Sequence, residues 1–144
     1  MIGQSADPDD AFMAWGLASG TVNLEGIHVE CIFDDIETLN EWAMEARLDL
    51  TALSAGTYPS VASEYRLLRA GASFGENYGP LVVSREPTQK QGAAAISGMR
   101  VAVPGLLTTA YLLLRTYAGN SFEPVPMRFD TIIDAVSKGY VDAG

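Results

Sequence analysis

The stretch Ile27-His-Val-Glu-Cys31-Ile-Phe33-Asp34-Asp35-Ile36-Glu37-Thr-Leu39-Asn-Glu-Trp42-Ala43-Met-Glu-Ala46-Arg47-Leu48-Asp-Leu-Thr-Ala-Leu53 changes its apolar period twice. Ile27, Val29, Cys31 and Phe33 alternate with a period of two, which predicts a strand. Asp34 then offers a helix cap and Glu37 a capping box. Ile36, Leu39, Ala43 and Ala46 recur at helical spacing, which predicts a helix to about Arg47. Leu48 to Leu53 reads as the next strand. Strand, helix and strand in this order predict two parallel strands joined by a crossover helix.

The same alternation extends in both directions. Upstream, Ser5-Ala6-Asp7-Pro8-Asp9-Asp10 leads into a helix from Ala11 to Ser19. Downstream, a turn holding Gly56 and Pro59 precedes a short helix toward Glu64, and Tyr65 to Leu68 reads as extended. Gly71 to Pro80 is too glycine-rich to be regular, and Leu81 to Ser84 reads as a short strand. Residues 86–98 hold Pro87, Lys90, Gly92 and Gly98 and read as an exposed connector. Beyond it the pattern predicts a strand at Met99 to Val103, a turn at Pro104-Gly105 and a helix from Thr108 to Ala118. A strand over Val125 to Phe129, a helix over Thr131 to Lys138 and the start of another strand at Tyr140 to Gly144 complete it. The fold class expected is α/β with mostly parallel sheets. The first lobe spans 1–85, the connector 86–98 and the second lobe 99–144, and this second lobe is expected to be truncated.

Composition narrows the function classes. The 144 residues carry 9 Lys and Arg against 18 Asp and Glu, a net charge of −9, which argues against a nucleic-acid partner. The most apolar run, Leu106 to Tyr117, is broken by Thr108, Thr109, Arg115 and Thr116, so no membrane span is expected. The chain shows no basic start followed by an apolar stretch, so no secretory signal is visible. One cysteine, Cys31, and one histidine, His28, leave no internal disulfide and no Cys- or His-based metal site. His28 is expected opposite the apolar face of its strand as a structural or surface residue, and Cys31 as a small buried hydrophobe. Gly71, Gly75 and Gly79 do not follow a strand and open a helix, so they form no dinucleotide fingerprint.

In open α/β sheets ligands bind beyond the carboxyl ends of the strands, and three loops qualify. In Ser5 to Asp10, acidic residues beside Pro8 suit helix capping. The same loop allows Asp10 to face a cleft, where it hydrogen-bonds a polyol or acts as a base. Ser54-Ala55-Gly56-Thr57-Tyr58 and Pro104-Gly105-Leu106-Leu107-Thr108-Thr109 combine hydroxyls, a glycine and a helix start. Free N–H groups at such starts bind carboxylate or phosphate oxygens. Ser or Thr capping explains each loop equally well in isolation. Two such loops, one per lobe, point to a small anionic ligand held against the long-range opposition of the net charge.

The ordered set Ser5-Ala-Asp-Pro-Asp-Asp10-Ala-Phe-Met, Glu37-Thr-Leu-Asn-Glu-Trp42, Leu53-Ser-Ala-Gly-Thr-Tyr58, Gly71-Ala-Ser-Phe-Gly75-Glu-Asn-Tyr-Gly79-Pro80 and Val101-Ala-Val-Pro-Gly-Leu-Leu-Thr-Thr-Ala-Tyr-Leu-Leu-Leu114 resembles the menaquinone-biosynthesis family of the futalosine route. The resemblance runs along essentially the whole chain. It implies a fold similar to type II periplasmic binding proteins, with the ligand in the cleft between the lobes. It implies a cytoplasmic lyase that needs no metal or other cofactor and takes a small carboxylate substrate. That lyase converts cyclic dehypoxanthinyl futalosine to 1,4-dihydroxy-6-naphthoate by cleaving off the ribose-derived part. Dehydration of chorismate, by the sister branch, and non-catalytic capture of a small carboxylate are the alternatives. By similarity Asp10 matches the family's acidic residue in the first loop, and Ser54, Thr108 and Thr109 match cleft-lining hydroxyls. The family usually has Pro-Asn-Asp-Thr where this chain has Pro8-Asp9-Asp10-Ala11, so one amide becomes an acid and one hydroxyl is lost. Family members continue for roughly as many residues again. The resemblance places the catalytic histidine just beyond Gly144 and implies an N-terminal fragment that is inactive alone.

Overall fold

A computed structural model describes residues 1–87 and 89–144; Thr88, inside the expected connector, lies outside the described residues. The chain forms two compact units, Met1–Gly75 and Glu76–Gly144.

The first unit is built on a three-stranded parallel sheet in the order β2-β1-β3, with β1 at Ile2–Gln4, β2 at Cys31–Phe33 and β3 at Leu50–Thr51. Ile2 pairs with Cys31 on one side and with Leu50 on the other, so β1 is the central strand. Helix α1 (Pro8–Ala18) connects β1 to β2, and α2 (Ile36–Met44) connects β2 to β3. The crossover read from Ile27 to Leu53 is thus present and parallel. Its strand is shorter than the alternation predicts. Glu25 and Gly26 take positive φ, Ile27 is 70% exposed, and pairing with Ile2 begins only at Cys31. Before Cys31 the pairing reaches only the Glu30 carbonyl, which accepts from Ile2 N–H, and the alternation survives only as a half-buried Val29 between exposed His28 and Glu30. His28 is therefore simply exposed, and Cys31 is half-buried where full burial was expected.

The cap of α2 is Asp35, one residue later than the pattern predicts. The Asp34 N–H donates to the Gln4 carbonyl at 3.1 Å and so continues the ladder, while its carboxylate accepts from Asp35 N–H. Asp35 Oδ1 accepts from the N–H groups of Glu37 and Thr38, and Oδ2 from the Thr38 hydroxyl at 2.8 Å. Partial burial works to raise the Asp35 pKa. The hydrogen bonds from Thr38, Asp34 and Glu37 outweigh it and hold the carboxyl below the usual range. Leu39, Asn40 and Ala43 make the buried face of α2.

A short helix, α3 (Tyr58–Val61), follows β3 and buries Val61. Tyr65 then anchors the chain: its hydroxyl donates to the Leu48 carbonyl at 2.7 Å. Leu67 and Leu68, read as extended, form no strand and are exposed. The Gly71 to Pro80 segment is irregular, as its glycines predict.

In the second unit β4 (Arg100–Val103) pairs in parallel with β5 (Glu123–Pro126), with α4 (Thr109–Ala118) between them and α5 (Phe129–Ser137) after them. β5 starts and ends earlier than expected, and α5 begins at Phe129 where Thr131 was expected. Both faces of β4 are covered. Val101 packs with Ile96, Ala118, Phe122 and Ala143, and Ala102 packs with Ala135, Val136 and Val141. A strand covered on both sides is apolar throughout, which explains the unbroken Val101-Ala102-Val103 run. Ala143 bridges Val101 in parallel and Ser84 in antiparallel sense, so the strands read at Leu81–Ser84 and Tyr140–Gly144 shrink to isolated bridges. Within residues 86–98 the chain makes a 3-10 turn over Gly92–Ile96, and Ile96 is buried.

Two outcomes follow for stability. A Cβ on Gly3 would lie 2.5 Å from Leu48 Cδ1 and 2.9 Å from Leu39 Cδ2, both buried side chains. Gly3→Ala should destabilise by about 1–3 kcal/mol, the range for overpacking, measured by urea unfolding. Asp35→Ala should cost about 1 kcal/mol at pH 7 through the lost cap. Because the folded-state pKa of Asp35 is depressed, that contribution is complete above its unfolded pKa and fades as pH falls through the folded value. The gap between Asp35→Ala and the unsubstituted protein should therefore narrow between neutral pH and acid; a gap that is constant with pH would refute the charged-cap account.

Candidate functional site

Parallel strands bring their carboxyl ends to one edge of each sheet. In the first unit that edge carries the loops after Gln4, Phe33 and Thr51. In the second unit it carries the loop after Val103. Asp10 and Ser54, named from sequence, thus lie at the same edge of one sheet: Asp10 in the first turn of α1, which begins at Pro8 where Ala11 was expected, and Ser54 in the loop after β3. Thr108 and Thr109 lie at the corresponding edge of the second unit's sheet.

The first loop is tied to itself. Ser5, buried, donates its N–H to Asp10 Oδ2 at 3.1 Å, and its hydroxyl accepts from Asp7 N–H. Asp7 is the N-cap residue of α1, yet its side chain makes no capping bond, and Pro8 fills the first turn. Asp10 is half-buried and fixes the loop's shape. Its neighbour Asp9 is exposed. The Ser73 side chain hydrogen-bonds the Asp9 carboxylate and, with the N–H groups of Asp9 and Asp10, holds its pKa below the usual range.

The second loop is held from inside. Asn40 is fully buried; its Oδ1 accepts from Ser54 N–H at 2.9 Å, and its Nδ2 donates to Ser54 Oγ at 3.0 Å. Both polar ends of the amide are used on one residue, which fixes Ser54 firmly. Thr57 is buried, and its N–H donates to the Ser54 carbonyl. Asn40 was not singled out from sequence as a functional residue. The signal was present: it lies four residues after Ile36, on the face that buries Leu39 and Ala43.

The third loop positions a helix start. Thr108 is the N-cap of α4; its hydroxyl accepts from Tyr111 N–H at 3.2 Å and donates to the Gly105 carbonyl at 2.8 Å. Gly105 has a φ of +148°, where a side chain is strained. Thr109 is half-buried in the first turn of α4, beside backbone N–H groups that an oxygen anion can use. Among the described residues no group of three or more His, Cys, Asp or Glu is placed to hold a metal ion. No helix of the described residues is long and apolar enough to cross a membrane.

The family described as menaquinone biosynthesis matches this sequence over residues 1–144. The chain belongs to that family. A relative from Thermus thermophilus named 1,4-dihydroxy-6-naphtoate synthase is 46% identical over 143 residues, which are 99% of this chain and 50% of the relative. A Streptomyces coelicolor protein of the same name is 36% identical over 148 residues, again 99% of this chain and 50% of the relative. A crystal structure of an Archaeoglobus fulgidus protein is similar with a TM-score of 0.88 and 44% identity, covering 99% of this chain and 51% of that one. The chain therefore spans about half the length of the relatives it matches.

In this family member the Asn40–Ser54 pair should be the firmest part of the first unit's loop edge. Asn40→Ala leaves Ser54 N–H buried without its acceptor and should destabilise by about 1–3 kcal/mol. Amide exchange at Ser54 should accelerate by more than the global loss of stability accounts for. Equal acceleration at Ser54 and at the β1 amides would contradict this anchoring role.

Proposed function

We propose that the protein carrying this sequence is a 1,4-dihydroxy-6-naphthoate synthase of menaquinone biosynthesis by the futalosine route. It takes cyclic dehypoxanthinyl futalosine and releases 1,4-dihydroxy-6-naphthoate by cleaving off the ribose-derived part, as a cytoplasmic lyase with a fold similar to type II periplasmic binding proteins. The observation that carries this reading is the 46% identity to the Thermus protein over 99% of this chain. The hydrogen-bonded loop edges support it.

The start of α4, capped by Thr108, turns the positive end of its dipole toward the ligand's carboxylate, and Thr109 in its first turn adds a hydroxyl. These local dipoles act at contact distance and outweigh the opposition of the net charge, which salt screens within about 8 Å at physiological ionic strength. Ser54, held by Asn40, presents a preset hydroxyl. Asp10, fixed through Ser5, hydrogen-bonds the ribose-derived part. The catalytic histidine comes from the length of the relatives that this chain does not span, and the groups named here bind and orient.

The test is an assay of the protein at the full length of its relatives. Release of dihydroxynaphthoate from cyclic dehypoxanthinyl futalosine, with no turnover of chorismate, supports the reading. Dehydration of chorismate would assign the protein to the sister activity, and tight carboxylate binding without turnover of either substrate would make it a binder. Thr109→Val should weaken binding of a naphthoate-type carboxylate by about 1–2 kcal/mol through a lost hydrogen bond and an unsatisfied partner, read by calorimetry. Unchanged affinity would remove Thr109 from the site.

A further inference from the structure

β1 carries Ile2, Gly3 and Gln4, all three buried. The direction a Gly3 Cβ would take leads to Leu39 and Leu48. Strand alternation therefore places Ile2 and Gln4 on the opposite face, toward α1, which packs on β1 and buries Ala14. A central strand of a parallel sheet normally fills such a position with an apolar side chain. Gln4 is instead a carboxamide, only 6% exposed, and its Oε1 has no hydrogen-bond partner among the described residues. An unmatched buried amide opposes folding, and natural proteins keep such groups chiefly at functional sites.

Its position gives that exception a meaning. Gln4 is the last residue of β1, at the carboxyl edge of the sheet and directly before the Ser5 to Asp10 loop. The Ser5 N–H is engaged by Asp10 and the Ser5 hydroxyl accepts from Asp7 N–H, while the buried carboxamide oxygen of Gln4 beside them is an acceptor with no partner among the described residues. The other buried side-chain atom of this kind, Ser121 Oγ, lies before the amino end of β5, away from any carboxyl-edge loop. The last torsion of a glutamine is broad, so the amide can turn either end outward at little cost.

The geometry points to Gln4 as a hydroxyl-recognising residue, whose carboxamide at the end of β1 accepts a hydrogen bond from a hydroxyl of the substrate's ribose-derived part. A carboxamide offers neutral acceptors and donors together, which suits a hydroxyl. The identity of the hydroxyl-bearing ligand rests on the function proposed above, whereas the unmatched state of the amide does not.

Gln4→Met, close in volume and without the amide, separates the two. In the full-length protein it should leave the melting temperature unchanged or raise it, because an unsatisfied buried group is removed. It should also raise KM for cyclic dehypoxanthinyl futalosine by about 3- to 10-fold, the worth of one neutral hydrogen bond, with a smaller effect on kcat. A lower melting temperature would mean that the amide supports the folded protein, and would overturn the inference. So would a KM within about twofold of the unsubstituted enzyme's. If the unsubstituted protein does not turn this substrate over, the functional reading falls separately. The melting comparison then decides alone, a fall against the inference and a rise in favour of it.

Discussion

The packing of α2 and Leu48 onto β1 depends on a missing side chain. Gly3 sits at the centre of a three-stranded sheet, and Leu39, Leu48 and Thr51 occupy the space that a Cβ would take. This close approach sets how far α2 stands from the sheet. It therefore also sets where Asn40, the residue next to Leu39, meets Ser54. The loop at the end of β3 is shaped from beneath, by a strand it is not connected to in sequence. Core packing and site geometry in this unit are parts of one arrangement, as expected where close-packed interiors transmit small displacements.

The second unit reaches a similar result by other means. There Val101, Ala102 and Val103 of β4 are apolar and covered on both faces, and the loop after the strand leads into α4. Thr108 caps that helix and holds the Gly105 carbonyl in the same turn. In both units a buried polar residue, Asn40 or Thr108, is saturated by backbone and hydroxyl partners and holds a loop at the carboxyl edge. Function of this kind needs preset groups, because hydrogen-bond donors that are already oriented are not reorganised when the ligand arrives.

The acidic loop combines structural and chemical roles that are easily confused. Asp7 occupies the cap position without making a capping bond, Asp10 closes the loop onto Ser5, and Asp9 is tied to Ser73. Asp7 and Asp10 both meet Ser5, the first through its N–H and the second through its carboxylate.

Much of this was legible in the residues themselves. The change of period between Ile27 and Leu53 established a parallel crossover, and the Thr108 cap, the α4 helix and the irregular Gly71 to Pro80 segment were readable from local chemistry. The ordered motifs established the family. Local patterns do this because periodicity and capping involve residues a few positions apart. Tertiary structure decided the rest. Alternation over Ile27 to Phe33 could not show that only Cys31 onward meets a partner, since pairing depends on Ile2, some thirty residues away. The cap moved from Asp34 to Asp35 because Gln4 claims the Asp34 N–H. The grip of Asn40 on Ser54, the tie of Ser73 to Asp9 and the burial of the Gln4 amide are contacts across the sheet and its loops. They exist only once strand order and register have been set, and no spacing along the chain encodes them.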